Sequence, residues 1–135
     1  MFRVTREIEF CYGHRLLNYD GKCRHLHGHN GTAVITIAGE QLDARGMVVD
    51  FSEIKDSVSR WIDDHLDHRM ILHREDPVAS LLQAMGEPLY LLDVNPTAEN
   101  IAKVIYEQSG LLGLRVPIVE VRLWETPKCF ATYAP

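Results

Sequence analysis

Cysteine and histidine occupy every second position of Cys23-Arg24-His25-Leu26-His27-Gly28-His29, and few conformations make sense of that alternation. An extended chain sends alternate side chains to one face. Cys23, His25, His27 and His29 therefore line one side of a strand or of its approach. A buried strand would place Val or Ile there, and a solvated face would place Lys, Glu or Thr. Two imidazoles two residues apart on one strand face have Cα atoms roughly 6.5 Å apart, so both rings can converge on one ion. Neutral imidazole suits zinc, and three protein ligands with an open position is the catalytic arrangement. The competing explanation is a surface histidine cluster that holds no metal.

A third ligand has to come from elsewhere. Residues 2–11 alternate, with Phe2, Val4, Ile8 and Phe10 on one face and Arg3, Thr5, Glu7 and Glu9 on the other, Arg6 being the one exception. This predicts a half-buried strand. Gly13 permits a bend after it, and His14 follows at once. If this strand pairs as a hairpin with a second one over residues 31–39, His14 lies opposite the start of that second strand. His25 is in phase with His27 and His29 and also stays a candidate. His65 and His73 read as helix-end or surface histidines. Cys23 is either a fourth ligand or a thiol made reactive by nearby positive charge. Cys11 and Cys129 have no such neighbours and read as small buried hydrophobes.

Further along, Asp50 or Ser52 caps a helix in which Ile54, Val58, Trp61, Ile62 and Leu66 recur at helical spacing. It ends at Leu66-Asp67-His68, a carboxylate next to an imidazole whose tautomer it can fix. Asp76-Pro77 starts a short helix that Gly86 closes, and Pro88–Leu92 is apolar without a clear period. Asn95-Pro96-Thr97 opens another helix with Ile101, Val104, Ile105 and Leu112 on its apolar face. Ile118–Trp124 reads as a strand with Val119, Val121 and Leu123 inward, and Cys129–Tyr133 as a last strand. The alternation points Glu125 inward, where a carboxylate can accept paired N–H donors of a guanine-like or pterin edge. Thr97 and Glu99 fit helix capping as they stand. Strand pairs flanking helices predict an α+β domain over 1–135 with a four-stranded antiparallel sheet. Such a sheet leaves a face and two edges to cover, which favours self-association.

Composition removes some classes. With 19 acidic and 14 basic residues, a formal charge of −5 and no basic run, a nucleic-acid footprint is not expected. The charged N-terminus and the lack of a long apolar run predict a cytoplasmic protein without a membrane span. Three cysteines do not suggest a disulfide framework.

Taken together, Phe10…His14-Arg15-Leu16, Cys23-Arg24-His25-Leu26-His27-Gly28-His29-Asn30, Gly46-Met47-Val48-Val49-Asp50-Phe51, Leu66-Asp67-His68, Pro96-Thr97-Ala98-Glu99-Asn100 and Trp124-Glu125-Thr126 resemble the 6-pyruvoyltetrahydropterin synthase family. The three residues between Cys23 and His27 match its 6-carboxytetrahydropterin synthase branch. The resemblance implies a T-fold with two main helices on one face of the sheet, assembled into an oligomeric barrel, commonly a homo-hexamer. It implies Zn2+ held by His14, His27 and His29, with His25 not a ligand. Cys23 would be the catalytic thiol, working with Asp67 and His68 from a neighbouring subunit. Glu125 would anchor the pterin, with Thr97 and Glu99 lining its pocket. The implied reaction converts 7,8-dihydroneopterin triphosphate to 6-carboxytetrahydropterin, acetaldehyde and triphosphate, toward queuosine and related 7-deazapurines. A pyruvoyl-type synthase, a dihydroneopterin side-chain lyase or a non-catalytic pterin- or purine-binding module are the alternatives. The chain departs from the compact bacterial members by an added apolar segment from about Asp76 to Leu92.

Overall fold

Strand β1 (Phe2–His14) pairs antiparallel with β2 (His27–Gly39) along their whole length. The register sets Ile8 opposite Ala33, Phe10 opposite Gly31, Tyr12 opposite His29 and His14 opposite His27. Residues directly opposite share a face, so the hydrophobic positions of both strands run without interruption into the histidines. A computed structural model describes residues 1–135 and shows this face covered by helices. Gly13 does not end β1 with a bend. The strand continues through it, and β2 begins at His27 rather than after His29.

Helix α1 occupies residues 51–65, capped by the Asp50 carboxylate, which accepts from the Ser52 N–H at 2.9 Å. Its middle, Lys55–Ser59, is a π-turn, a one-residue insertion that shifts the facing of the residues after it. Ile54, Val58 and Ile62 are fully buried against the sheet, each contributing about 1.5–3 kcal/mol by removal from water. Helix α2 (Pro77–Ala84) is capped by Asp76, and α3 (Ala98–Ser109) by Thr97, whose hydroxyl accepts from the Asn100 N–H. Ile101, Ala102 and Ile105 of α3 join the same core as α1. Leu112 packs on this core from the turn beyond α3, not from the helix itself.

The sheet corrects the sequence-based topology. It has six strands, in the order β4-β3-β1-β2-β5-β6, where β3 is Arg69–His73, β4 Leu89–Leu92, β5 Ile118–Thr126 and β6 Cys129–Tyr133. The β1–β3 and β3–β4 pairs are parallel, so the sheet is mixed rather than purely antiparallel, and there are three helices. The extra strands are short and lack alternation, Ile71 and Leu72 both being fully buried. A strand covered on both faces gives no period of two to read. Residues 47–50 form no strand, although Val48 and Val49 are buried. In β5 it is Ile118, not Val119, that turns inward, because its pairing with β2 shifts between Thr36 and Ile37.

The segment from Asp76 to Leu92 builds α2 and the edge strand β4. Asp76 ties it to the end of β1. Its buried carboxylate receives the Arg15 guanidinium through Nε and Nη2 and also the Val78 N–H. The Arg15 hydrogen bond, working against the cost of burial, holds the Asp76 carboxyl below the ordinary carboxylate range. A depressed carboxyl adds stability above its unfolded pKa of about 4, and that stability is lost as pH falls through the folded value. Asp76→Asn should therefore lower stability at pH 7 by about 1.5–3 kcal/mol, and much less near pH 3. Urea unfolding at the two pH values checks this; an equal loss at both would show that charge pairing is not the source.

Candidate active site

His14, His27 and His29 each offer a ring nitrogen, and the three atoms lie within 4.8 Å of one another. The backbone sets the tautomers of two of them. His14 is buried at the end of β1, and its Nδ1–H donates to the Pro96 carbonyl at 2.7 Å. His27 donates in the same way to the His25 carbonyl at 2.7 Å. Each of these rings thus turns Nε2 toward the cluster, the arrangement in which a ligating imidazole is fixed through its other nitrogen. The Nε2 atoms of His14 and His29 are buried without a hydrogen-bond donor facing them. Burial pushes both imidazoles below the ordinary histidine pKa, favouring the neutral form that binds metal. Buried, unpartnered lone pairs on converging imidazoles fit a divalent metal of the zinc type.

Glu125, near the end of β5, points inward as the alternation predicts. Its Oε1 lies 3.2 Å from His14 Nε2 and 3.5 Å from His29 Nε2. Beside it a cavity of about 320 Å³ is lined by His14, Cys23, Thr97, Glu99 and Glu125, among others. Five of the nine predicted site residues thus share one hollow. Cys23 sits half-buried on the 3₁₀ turn Lys22–Arg24, fixed by the Leu16 N–H donating to its carbonyl at 2.9 Å. It borders the cavity without joining the ligand cluster.

The loop after β1 is locked to the start of α3 by Asn95. Its Oδ1 accepts from the Leu17 N–H, and its Nδ2 donates to the Leu17 carbonyl, both at 2.9 Å. The Asn95 carbonyl in turn accepts from Asn100 Nδ2. This clamp holds the Cys23 loop over Thr97 and Glu99. In the sequence Asn95 is only a helix-start signal, because its partners lie 78 residues away.

Asp67 and His68 sit elsewhere. The Asp67 carboxylate accepts from the Cys11 N–H and pairs with His68 Nδ1, both at 2.8 Å. Despite the opposing cost of partial burial, these bonds hold the Asp67 carboxyl below its ordinary range. His68 adopts a left-handed backbone with φ 58°, a conformation costing about 1–2 kcal/mol in a non-glycine residue. Its side chain is 79% exposed. The clefts it lines contain Cys11, Asn30, Met70, Leu82 and Met85. They share no residue with the Cys23 cavity.

The remaining candidates resolve individually. The His25 ring contacts Arg24 and is exposed, and it is the His25 carbonyl that serves the cluster. His65 stacks on Trp61 and donates to the Trp61 carbonyl, and His73 accepts from the Glu75 N–H. Cys11 and Cys129 are exposed rather than buried hydrophobes. Cys11 falls on the uncovered face of β1, and Cys129 borders the cavity together with Tyr19 and Phe130.

Residues 3–135 match the family model of 6-pyruvoyl tetrahydropterin synthase. The chain belongs to that family. It is an enzyme of lyase type. Among curated relatives, the 6-carboxy-5,6,7,8-tetrahydropterin synthase of Rickettsia felis is 39% identical, the match covering 96% of this chain and 98% of the relative. That of Haemophilus influenzae is 35% identical over 98% and 99%. Among solved structures, an uncharacterized protein of Wolinella succinogenes superposes with a TM-score of 0.83 at 27% identity, covering 98% of this chain and 97% of that one. The 6-pyruvoyl tetrahydropterin synthase of Caenorhabditis elegans follows with 0.75 at 26%, covering 99% and 95%. For this synthase-family chain the fold is thus α+β with a mixed sheet and three helices. None of the helices is long and apolar enough to cross a membrane.

Proposed function

We propose that the protein is a zinc-dependent 6-carboxy-5,6,7,8-tetrahydropterin synthase. It takes 7,8-dihydroneopterin triphosphate and water to 6-carboxytetrahydropterin, acetaldehyde and triphosphate, in the cytoplasm, on a route to 7-deazapurines such as queuosine. The observation that carries the reading is the convergence of three histidine nitrogens with the Glu125 carboxylate, beside a cavity that His14, Glu125 and Cys23 line. The curated relatives of that name support the choice of branch. His14, His27 and His29 would hold the zinc, which when bound would supply Lewis-acid stabilisation of negative charge on the substrate side chain. Glu125 accepts N–H donors of the pterin edge and sets which side-chain carbon faces Cys23. Thr97 and Glu99 close the wall behind the ring. Cys23 moves protons at the side chain as thiolate and thiol. His68, oriented by the 2.8 Å bond to Asp67, is the partner acid and base.

The clefts around His68 share no residue with the Cys23 cavity of the same chain, although His27 borders one of them. The reading includes a T-fold homo-oligomer, of hexameric type, in which Asp67 and His68 complete a neighbour's site. The uncovered face of β1 and β2 supports this arrangement, since His68 borders it together with Cys11 and Asn30. In such an assembly Leu82 and Met85, which line the His68 cleft, bring the Asp76–Leu92 segment near the substrate.

Incubation with dihydroneopterin triphosphate should release acetaldehyde in equal amount with the carboxypterin, read by mass spectrometry. A pyruvoyl product without acetaldehyde would move the chain to the sister branch, and binding without turnover would make it a pterin-binding module. His27→Ala should strip about one zinc per chain, measured by elemental analysis. Full retention would mean that the histidine cluster is not the metal site.

A further inference from the structure

No role assigned above uses the turn Asn18-Tyr19-Asp20-Gly21, which leads from β1 toward the Cys23 turn. Tyr19 is 49% exposed and lies outside the hydrophobic core. A single exposed aromatic residue is ordinary on a protein surface. A loop shaped to seat one is not. Asn18 takes a left-handed backbone, with φ 54°, a conformation that asparagine tolerates better than most residues with a side chain. Leu17 before it is held at both its N–H and its carbonyl by the Asn95 amide. Beyond Tyr19, Arg24 fixes two carbonyls in a row. Its Nη1 donates to Asp20 at 3.3 Å and its N–H to Gly21 at 3.2 Å. Gly21 itself has an extended backbone, φ −78° and ψ −176°, which any residue adopts, so the chain path does not call for glycine there. Its missing side chain has another reason. A Cβ at Gly21 would collide with the Tyr19 ring, meeting Cζ and Oη at 2.8 Å.

The ring seated this way borders the cavity that Cys23 and Glu125 also line. A carboxylate can hold N–H donors along the edge of a flat heterocycle, but it leaves the plane of that ring free to tip. An aromatic face supplies what the carboxylate lacks, because stacking acts across the plane and hydrogen bonds act within it. Three lining residues carry rings: His14, Tyr19 and Phe130. The His14 ring is committed to the histidine cluster. Phe130 is engaged by Trp124, with ring centroids 4.4 Å apart, and by the Arg122 guanidinium, 4.4 Å from its centroid. Tyr19 has no such partner within the chain. Of the three, it is the ring free to meet a ligand.

We propose that Tyr19 is the stacking residue of the cavity, its ring covering the plane of the pterin whose N–H edge Glu125 accepts. The inference rests on the pterin reading of the site and adds the residue that fixes the tilt of the bound ring. The probe is neopterin, which carries the fluorescent ring without the triphosphate, titrated into the zinc-loaded protein. Tyr19→Ala should weaken its binding by about 10–100-fold, the worth of stacking one base on an aromatic side chain. Tyr19→Phe should change it by less than about three-fold, since the ring and not the hydroxyl does the stacking. Inorganic triphosphate has no plane to stack and should bind wild type and Tyr19→Ala alike. Gly21→Ala keeps the tyrosine but takes its seat, so it should lose about as much as Tyr19→Ala, and the double variant no more than either. In turnover, KM should rise in Tyr19→Ala with a smaller change in kcat. Unchanged neopterin affinity in Tyr19→Ala, an equal loss for triphosphate, or a Gly21→Ala loss that adds to it would overturn the proposal. Unchanged affinity with a smaller assembly on a sizing column would make Tyr19 a subunit contact instead. Neopterin held through Tyr19 with dihydroneopterin triphosphate left unconverted would sink the proposed function alone. Conversion that ignores Tyr19 would sink this inference alone, and a wild type that binds no pterin would sink both.

Discussion

Cys23→Ala should leave the zinc content unchanged and lower kcat by about 10²–10⁴-fold, the range for removing a positioned acid–base group. The expectation follows from where the thiol is held. It borders the cavity that His14 and Glu125 also line, but it stands outside the cluster of ligand nitrogens. The 3₁₀ turn that carries it is pinned by the Leu16 N–H, and the loop before it is pinned by Asn95. Such a thiol borders the cavity and stands apart from the ligand nitrogens, as the proposed mechanism needs. Metal analysis separates the two roles that spacing leaves open. Loss of zinc along with activity would make Cys23 a ligand closing the site, and retained activity would remove it from the chemistry. Cys129, which also borders the cavity, supplies the control: Cys129→Ala should change kcat by less than about three-fold, as expected for a group that moves no proton.

Much of this arrangement is legible in the amino-acid sequence because it is written locally. The alternation of His27 and His29, and the placement of His14 at the end of an alternating strand, follow from a period of two that needs no partner to be recognised. Hairpin pairing then brings His14 to face His27. The illegible parts depend on distant partners or on lost alternation. Strand β3 buries adjacent residues and has no period, and β4 is an equally apolar run without one. Asn95 has the local signature of a turn residue, and its clamp exists only once folding brings Leu17 to it. Tyr12 has the pattern of one more hydrophobic residue, and only the structure shows that its hydroxyl is buried without a hydrogen-bond partner. Cys11 and Cys129 are exposed against expectation; Cys11 falls in phase with Glu7 and Glu9, so the alternation of β1 outweighs the preference of a small thiol for burial. Spacing within one chain also cannot say that Asp67 and His68 lie away from the cavity, since that is a property of the sheet's two faces.

Mixing two dead variants should recover activity. Cys23→Ala lacks the thiol and His68→Ala lacks the imidazole, and each should be inactive as a homo-oligomer. If a site takes Cys23 from one subunit and His68 from the next, co-expression at equal levels yields sites with both groups intact. Random assembly makes about one site in four complete, so about a quarter of wild-type activity should return. The placement of His68 supports the proposed pairing across chains. His68 is 79% exposed and strapped by Asp67 to the Cys11 backbone. Tyr12, the next residue along β1, faces the core, so Cys11 and His68 address the opposite side. Moving His68 into its own cavity would mean breaking the Asp67 bond to β1 and the His68 N–H bond to the Cys11 carbonyl. A tag on each variant and two-step purification isolate the mixed assemblies, and acetaldehyde release reads them. No recovery in assemblies shown to contain both variants would mean that the thiol and the imidazole work within one chain, or that His68 takes no part in turnover. Either result would remove the shared site from the proposed mechanism while leaving the metal cluster in place.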